Sequence, residues 1–193
     1  MTALQNDTHT RLRMTADEFL RWDSGDDIRY ELIAGEVWAQ ASPADPHGTM
    51  MITLGSAMRT AVRENRPGCR IVAQPGIRSA IKGDETVREA DLAMTCAPQT
   101  GSAEVCDPQI IVEIVSPGSG EQRDKAKVTF YQAPASVQVI VLLYSRKILC
   151  EVWRRHEFGW SKDPEILESL NQSLDLPEIG LSVTLANLYE DAI

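Results

Sequence analysis

A short apolar run, Ile110 to Val115, is interrupted once, by Glu113. Continuous runs of Val, Ile and Leu are typical of strands that are buried on both faces of a sheet. A carboxylate inside such a run is costly to bury unless another group pairs with it or a metal binds it. The pattern therefore predicts a buried strand over 110–115 and a partner for its glutamate.

The segment after this run combines a turn with a helix. Residues 116–119 read Ser-Pro-Gly-Ser, which is typical of a turn followed by a helix start. A helix is predicted over about 120–132, with Val128 and Tyr131 on its inner side, and Pro134 ends it. Three basic residues lie on the same helix: Arg123, Lys125 and Lys127.

Two helices and a hairpin are predicted before residue 66. Thr15-Ala16-Asp17-Glu18 is a capping box, so a short helix begins there. Residues 29–38 predict two strands around a tight turn at Ala34-Gly35, and the face on which Glu31 lies depends on their register. A longer helix is predicted from His47 to about Asn65. Its buried stripe consists of apolar residues at helical spacing: Met51, Leu54, Met58, Ala61 and Val62.

The remaining apolar segments predict strands. Three are expected early, at 70–73, 76–81 and 90–94, and Asp91 lies within or at the start of the third. Residues 137–144 form the most apolar strand, 148–155 alternate as an edge strand, and Phe158-Gly159-Trp160 continues into a hairpin. Residues 182–185 and a short helix to Tyr189 end the chain. The order of elements predicts an α/β or α+β fold with one mixed sheet.

Length and composition predict a single domain. The chain has 193 residues, of which 43% are hydrophobic and 24% charged, as in ordinary globular proteins. Residues 1–13 are polar and are expected to be disordered or extended, with one domain over 14–193. The N-terminus has no apolar segment typical of a secretory signal, and no apolar run reaches the ~18 residues of a membrane helix.

Cysteine spacing and net charge bear on the expected cellular location and on nucleic-acid binding. The four cysteines form no CxxC pair, so neither a zinc site nor a disulfide framework is expected, and we predict a reducing cytoplasm. The net charge of −9 argues against a simple nucleic-acid coat. However, basic residues exceed acidic ones over 54–90 and 123–156, which leaves a locally basic face possible beside the alternative of ordinary surface charge.

The candidate chemistry centres on Asp91 and Glu113. They lie on strands that are neighbours in sequence, and such strands pair in about two-thirds of cases. Two carboxylates on adjacent strands have the oxygen ligands that Mg²⁺ prefers, and a metal held in this way polarises a phosphate and activates water. Lys127 or Lys125 is then a candidate for orienting that water or stabilising the developing charge.

Two further residues are candidates for the same site. Glu31 would add a third carboxylate, and His47, at a helix start, would act as a ligand or proton carrier. Purely structural roles stay open on spacing alone. They are a salt bridge from Glu113 to Arg123 or Lys127, a turn position for Asp91, a surface hairpin position for Glu31 and a helix cap for His47.

Over about residues 14–190 the chain resembles a large bacterial family of restriction endonucleases, a branch of the PD-(D/E)XK nuclease superfamily. The resemblance begins with the motifs at 14–20, 29–33 and 35–37, Ser42-Pro43 and His47. It continues with Asp91, the Glu-x-x-Ser-Pro-x-Ser stretch from Glu113 to Ser119, and the Lys-x-x-x-Tyr pair Lys127 and Tyr131, preceded by Asp124. Residues 134–141 complete it.

The resemblance implies a role for each matched residue. Asp91 would be the metal-binding acid of the PD element, although Ala90 replaces the usual proline. Glu113 would be the acid of the (D/E)XK element, together with a backbone carbonyl near Ile114 or Val115. Val115 occupies the lysine position, so the lysine would come from the next helix. Lys127 fits that role, and Lys125 is the alternative because the spacing from Asp124 is one residue short.

The resemblance also implies a fold and an activity. The fold would be a mixed central sheet flanked by helices, with an added hairpin. The activity would be Mg²⁺- or Mn²⁺-dependent endonucleolytic hydrolysis of DNA, with a homodimer that supplies one site for each strand. The alternative is a catalytically silent nuclease-fold module that binds protein or nucleic acid, which the acidic balance and the displaced lysine would suit.

Overall fold

The central element is a mixed β-sheet. The computed structural model describes residues 12–40, 45–116 and 121–192, with the backbone alone for 121–125. The strands of the sheet, in spatial order, are β10 (Gly159–Trp160), β9 (Cys150–His156), β8 (Val139–Tyr144), β7 (Pro108–Val115), β6 (Leu92–Thr95) and β3 (Arg70–Ala73). A further strand, β11 (Glu165–Leu167), pairs with β9. β7 and β8 are parallel, and the other neighbours are antiparallel.

A smaller antiparallel sheet lies beside the central one. Its order is β2 (Glu36–Ala39), β1 (Tyr30–Ile33), β5 (Val87–Glu89) and β4 (Gly76–Arg78). The turn between β1 and β2 has positive φ at both Ala34 and Gly35, which matches the twist of a tight hairpin. The predicted hairpin is therefore confirmed. Near the C-terminus, β12 (Ser173–Leu176) and β13 (Leu181–Thr184) form a separate pair around a 3₁₀ turn, Pro177–Ile179.

Helices cover both faces of the central sheet. α2 (Asp45–Asn65) packs on one face, where it shares a core with Ile110, Val112 and Ile114 of β7. α3 (Glu121–Gln132) connects the parallel strands β7 and β8, and its inner side packs on the other face against Ile111. Because side chains alternate along a strand, Glu113 lies on the α3 side. Two short helices, α1 (Ala16–Phe19) and α4 (Leu185–Tyr189), complete the fold. The predicted mixed sheet with flanking helices is confirmed.

The helix predictions are correct in place and in their buried faces, except at one position of α2. The capping box at Thr15 and Glu18 is present, and Val128 and Tyr131 of α3 are buried as predicted. Of the two adjacent methionines in α2, Met50 is fully buried and Met51 is half-buried, so the predicted stripe was wrong by one residue at that position. Two adjacent methionines satisfy the same helical period, and only the packing against the sheet selects between them.

Several strand predictions were wrong in detail. β5 was not predicted, and the strand expected at 76–81 ends at Arg78. Asp91 lies between β5 and β6, immediately before the latter. β9 is not an edge strand, because β8 covers one side and β10 and β11 pair with the other. Alternating polarity shows which face of a strand is exposed to solvent, but it does not reveal how many strands pair with it.

The cysteine prediction was also wrong. Cys69 and Cys96 form a disulfide, while Cys106 and Cys150 are free. The antiparallel register of β3 and β6 pairs Arg70 with Thr95, so the next positions outward bring the two cysteines together. Their separation of 27 residues carries no sign of this contact, since it depends on strand order.

The two described residues before the predicted start of the domain contact the smaller sheet. Leu12 and Arg13 run alongside β2, and the Val37 N–H donates to the Leu12 carbonyl at 2.9 Å. Residues 1–11, the Ser42-Pro43 pair and residues 117–120 lie outside the described residues, so the predictions on them are not tested. Across the described ranges, no helix has both the length and the apolar character to cross a membrane.

Candidate active site

Asp91 and Glu113 are neighbours in the central sheet, since Asp91 immediately precedes β6 and Glu113 lies near the end of β7. β6 and β7 are hydrogen-bonded neighbours, as predicted, and their register pairs Leu92 with Val112. Asp91 and Glu113 each lie one position beyond that pair. Both are buried, with 6% of each residue exposed. Two carboxylates in one buried region repel each other, so neighbouring groups must compensate for their charge.

Glu113 is held by two donors from α3. Lys127 Nζ donates to Glu113 Oε2 at 2.9 Å, and the Tyr131 hydroxyl donates to Oε1 at 2.5 Å. Burial nevertheless raises the pKa of Glu113 to about 7, with a further contribution from the charge of Asp91. Lys127 and Tyr131 act in the opposite direction on that pKa. Glu113 therefore exchanges a proton near neutral pH.

Lys127 lies between two acids. Its Nζ is 2.9 Å from Glu113 Oε2 and 3.6 Å from Glu31 Oε1. Burial by itself would lower the pKa of Lys127, but the charges of Glu113, Glu31 and Asp91 outweigh it and raise that pKa. The lysine is therefore a charged donor. The side chain of Lys125 lies outside what the structure describes.

Glu31 connects the smaller sheet to this site. It is 8% exposed, which settles the register of the hairpin and excludes a surface position. Its Oε1 accepts the backbone N–H of Glu89 at 3.2 Å, and Arg88 Nη1 lies 3.6 Å from its Oε2. The contact with Lys127 completes its surroundings. Glu31 and Glu113 thus both contact the ammonium group of Lys127.

His47 positions Asp91 from the other face of the sheet. It lies in the first turn of α2 and is buried, and its Nε2 is 2.8 Å from Asp91 Oδ1. The N–H of Ile114 donates to Asp91 Oδ2 at 2.7 Å, at the point where the ladder between β6 and β7 ends. On the outer side, His47 Nδ1 lies 3.3 Å from Ser116 Oγ. Both oxygens of Asp91 therefore have partners.

The structure brings together all five side chains that the sequence placed at the site: Glu31, His47, Asp91, Glu113 and Lys127. It adds two groups that the sequence reasoning missed, Arg88 and the hydroxyl of Tyr131. Tyr131 was predicted as a core residue. Its position four residues after Lys127, on the same face of a helix, was the signal that could have revealed its polar role.

The donor set fits a divalent cation held by few protein ligands. Within the described residues, no group of three or more His, Cys, Asp or Glu side chains forms a ready-made metal site. Mg²⁺ is commonly held by one or two carboxylates, with water and phosphate oxygens completing its shell, so Asp91 and Glu113 suit it in ligand type.

Comparison with known proteins gives two findings. The family model described as "Uma2: Putative restriction endonuclease" matches residues 16–186. A crystal structure described as "a putative nuclease belonging to DUF820" from Anabaena variabilis superposes with a TM-score of 0.73 at 14% identity, covering 93% of this chain and 99% of that chain. At that identity, the superposition shows a shared fold. No curated protein matches the chain.

Proposed function

Since the chain belongs to the Uma2 family, we propose that it is a metal-dependent endonuclease that hydrolyses phosphodiester bonds in DNA. The observation that carries the proposal is the buried acid pair, Asp91 and Glu113, with the ammonium of Lys127 2.9 Å from one of its oxygens. A structural ion pair needs one acid for each base. Here three acids, Glu31, Asp91 and Glu113, are balanced by two bases, Lys127 and Arg88, which leaves one negative charge for a cation to balance.

Asp91 and Glu113 would hold Mg²⁺ or Mn²⁺ through their carboxylate oxygens. When bound, the cation would supply Lewis-acid polarisation of the scissile phosphate and stabilise the charge that develops on it. The chain itself sets the orientation of both ligands. His47 and the Ile114 N–H hold Asp91, while Tyr131 holds Glu113. Such outer partners typically change metal affinity or activity 10- to 100-fold.

Lys127 would act as a hydrogen-bond donor and a fixed positive charge. Because its pKa is raised, the side chain stays protonated at neutral pH and does not serve as a base. From its place beside Glu113 it would orient the attacking water and stabilise the phosphate oxygens in the transition state. Glu31 restricts the lysine to this position through its own ion pair.

The choice of DNA as substrate rests on the family and on the chemistry of the site. The net charge of −9 repels a polyanion at long range, so binding would depend on the cation and on local bases such as Lys127 and Arg88. We further propose a homodimer, in which each copy carries one site that acts on one strand, and a cytoplasmic location, where the Cys69–Cys96 disulfide would be subject to reduction.

The decisive experiment is cleavage of supercoiled plasmid and single-stranded DNA by pure protein with Mg²⁺ or Mn²⁺. We expect nicking that needs the metal and falls at least about 10³-fold in Asp91→Asn. Asp163→Asn is the matched control, because that residue is exposed and remote in sequence from the site. If the wild-type protein cuts no DNA with either metal, the chain is instead a silent nuclease-fold module.

A further inference from the structure

A cleft of about 290 Å³ opens between the loop after α1 and the smaller sheet. Three aromatic side chains line it: Phe19, Trp22 and Tyr30. The rings of Trp22 and Tyr30 meet edge to face with their centroids 5.1 Å apart, and those of Phe19 and Trp22 are 6.2 Å apart. The volume is at the lower end for a ligand pocket, so it suits one flat ring system rather than a large molecule.

Two of these aromatics are not explained by core packing. Phe19 packs on the small cluster around Leu32, but Trp22 and Tyr30 belong to no hydrophobic cluster of the described residues, and both are half-buried. The loop that carries them is held in place by Asp26, which accepts hydrogen bonds from the Ser24 hydroxyl, the Ile28 N–H and the Tyr30 hydroxyl at 2.9–3.0 Å. The aromatic wall is therefore preformed.

The polar lining indicates a neutral ligand with hydrogen-bonding edges. Arg29 and Glu89 are the charged residues that line the described cleft, and they pair with each other at 2.7 Å, so the lining has no net charge. Gln74 stands at the rim with an exposed side chain that makes no hydrogen bond within the described part of the chain. Its φ of +52° is strained for a residue with a side chain, and such strain is often found at functional positions.

The cleft adjoins the acid site through two backbone contacts. The N–H of Gln74 donates to the carbonyl of Asp91 at 2.9 Å, and the N–H of Glu89 donates to Glu31 Oε1 at 3.2 Å. A nucleotide whose base lies in the cleft would therefore have its phosphate close to the acids. A nucleobase is neutral and flat, and its edges carry hydrogen-bond donors and acceptors, so it matches both the aromatic side chains and the absence of net charge in the lining.

We infer that this aromatic cleft binds an unpaired nucleobase of single-stranded nucleic acid and so positions the neighbouring phosphate at the acid site. The inference rests on the proposed nuclease function and adds its substrate class. A base inside a duplex is stacked and cannot enter such a cleft without being extruded. The protein therefore prefers single-stranded DNA, or duplex regions that are locally open, to intact duplex.

The first test uses the wild-type protein without metal. A single-stranded oligonucleotide containing 5-iodouracil is irradiated with the protein, and the tryptic peptides that carry the cross-link are identified. We expect the label on Trp22 or Tyr30, which fall in different tryptic peptides because Arg29 separates them. Cross-links confined to other aromatic residues, such as the 96% exposed Phe158, would overturn the inference.

The second test measures affinity by anisotropy of a labelled single strand and of the matching duplex, again without metal. We expect Trp22→Ala to weaken single-strand binding about 5- to 100-fold, because one stacked base is lost. Trp22→Phe retains a ring and should restore most of the affinity. Phe158→Ala, which removes an exposed aromatic outside the cleft, should bind like the wild type.

These measurements separate the inference from the proposed function. If single-strand binding depends on Trp22 but no metal supports cleavage, the base-binding role of the cleft is supported and the proposed nuclease activity is refuted. If the wild type cleaves DNA and Trp22→Ala cleaves it equally well, the base-binding role of the cleft is refuted and the nuclease activity is supported. Equal affinity for single strand and duplex also counts against the cleft. Thermal unfolding of each variant shows whether a loss comes from misfolding, and the wild-type cross-link does not depend on that result.

Discussion

Lys127 Nζ lies 2.9 Å from Glu113 Oε2, although the lysine is on α3 and the glutamate on β7. The helix connects β7 to its parallel neighbour and therefore passes over the end of the same strand. Val115, two residues after Glu113, occupies the position where the resemblance to PD-(D/E)XK nucleases implies a lysine. The helix α3 thus supplies the positive charge beside Glu113 that the strand itself does not carry.

Lys127→Ala should reduce DNA cleavage by about 10²-fold or more, because it removes the fixed positive charge next to Glu113. The matched control is Lys125→Ala on the same helix. If Lys127 carries the role, the control should keep most of the activity. Steady-state rates at saturating Mn²⁺ compare the two variants. A loss only in the control would assign the role to Lys125, and equal losses would contradict a role specific to Lys127.

His47→Ala should weaken activation by the metal about 10- to 100-fold, because Asp91 loses the partner of one carboxylate oxygen. His47→Gln retains a donor and should recover part of that loss. The measurements are a Mn²⁺ titration by calorimetry and the dependence of the cleavage rate on Mn²⁺ concentration. Unchanged metal affinity together with a lower maximal rate would show that His47 acts in the reaction instead.

Glu113 should make the metal-free protein less stable as the pH rises. Its pKa is about 7 in the folded protein and 4.5 ordinarily, so the folded state binds the proton more tightly. This contribution to the free energy of unfolding is complete below about pH 4.5 and is lost as the pH rises through about 7. Relative to Glu113→Gln, the wild type should lose up to about 3 kcal/mol between about pH 5 and pH 8.

Urea denaturation of the two proteins at both pH values measures this difference. Lys127 does not obscure it, because its pKa lies above its ordinary 10.5 and it stays charged throughout the window. Added Mn²⁺ should restore the stability of the wild type at the higher pH, since a cation replaces the proton. Parallel pH curves for the wild type and Glu113→Gln would refute the raised pKa.

The Cys69–Cys96 disulfide should stabilise the fold by about 3 kcal/mol, because it closes a loop with a sequence separation of 27 residues. Cys69→Ser combined with Cys96→Ser should lower the free energy of unfolding by about that amount and remove any effect of dithiothreitol. Cys106→Ser is the control, because that cysteine is free and exposed. If dithiothreitol leaves the wild-type stability unchanged, the bond does not form in solution.

Much of the site was predictable because its spacing is local. Glu113 stands out as the single acid in an apolar strand, and Lys127 and Tyr131 lie four residues apart on one helical face. Asp91 and Glu113 were paired through the tendency of successive strands to be neighbours. The proximity of these residues follows from short-range periodicity and a simple connection rule, whereas their roles were implied by the family resemblance.

The rest could be decided only by tertiary structure. The choice of Met50 over Met51 depends on where α2 meets the sheet, and the Cys69–Cys96 bond depends on the register of β3 and β6. The cleft around Trp22 forms because the loop after α1 packs beside the smaller sheet, whose strands come from distant parts of the chain. Sequence by itself determined the periods of the elements and the types of reactive groups. Contacts between remote segments required the tertiary structure, because they depend on strand order and packing rather than on local pattern.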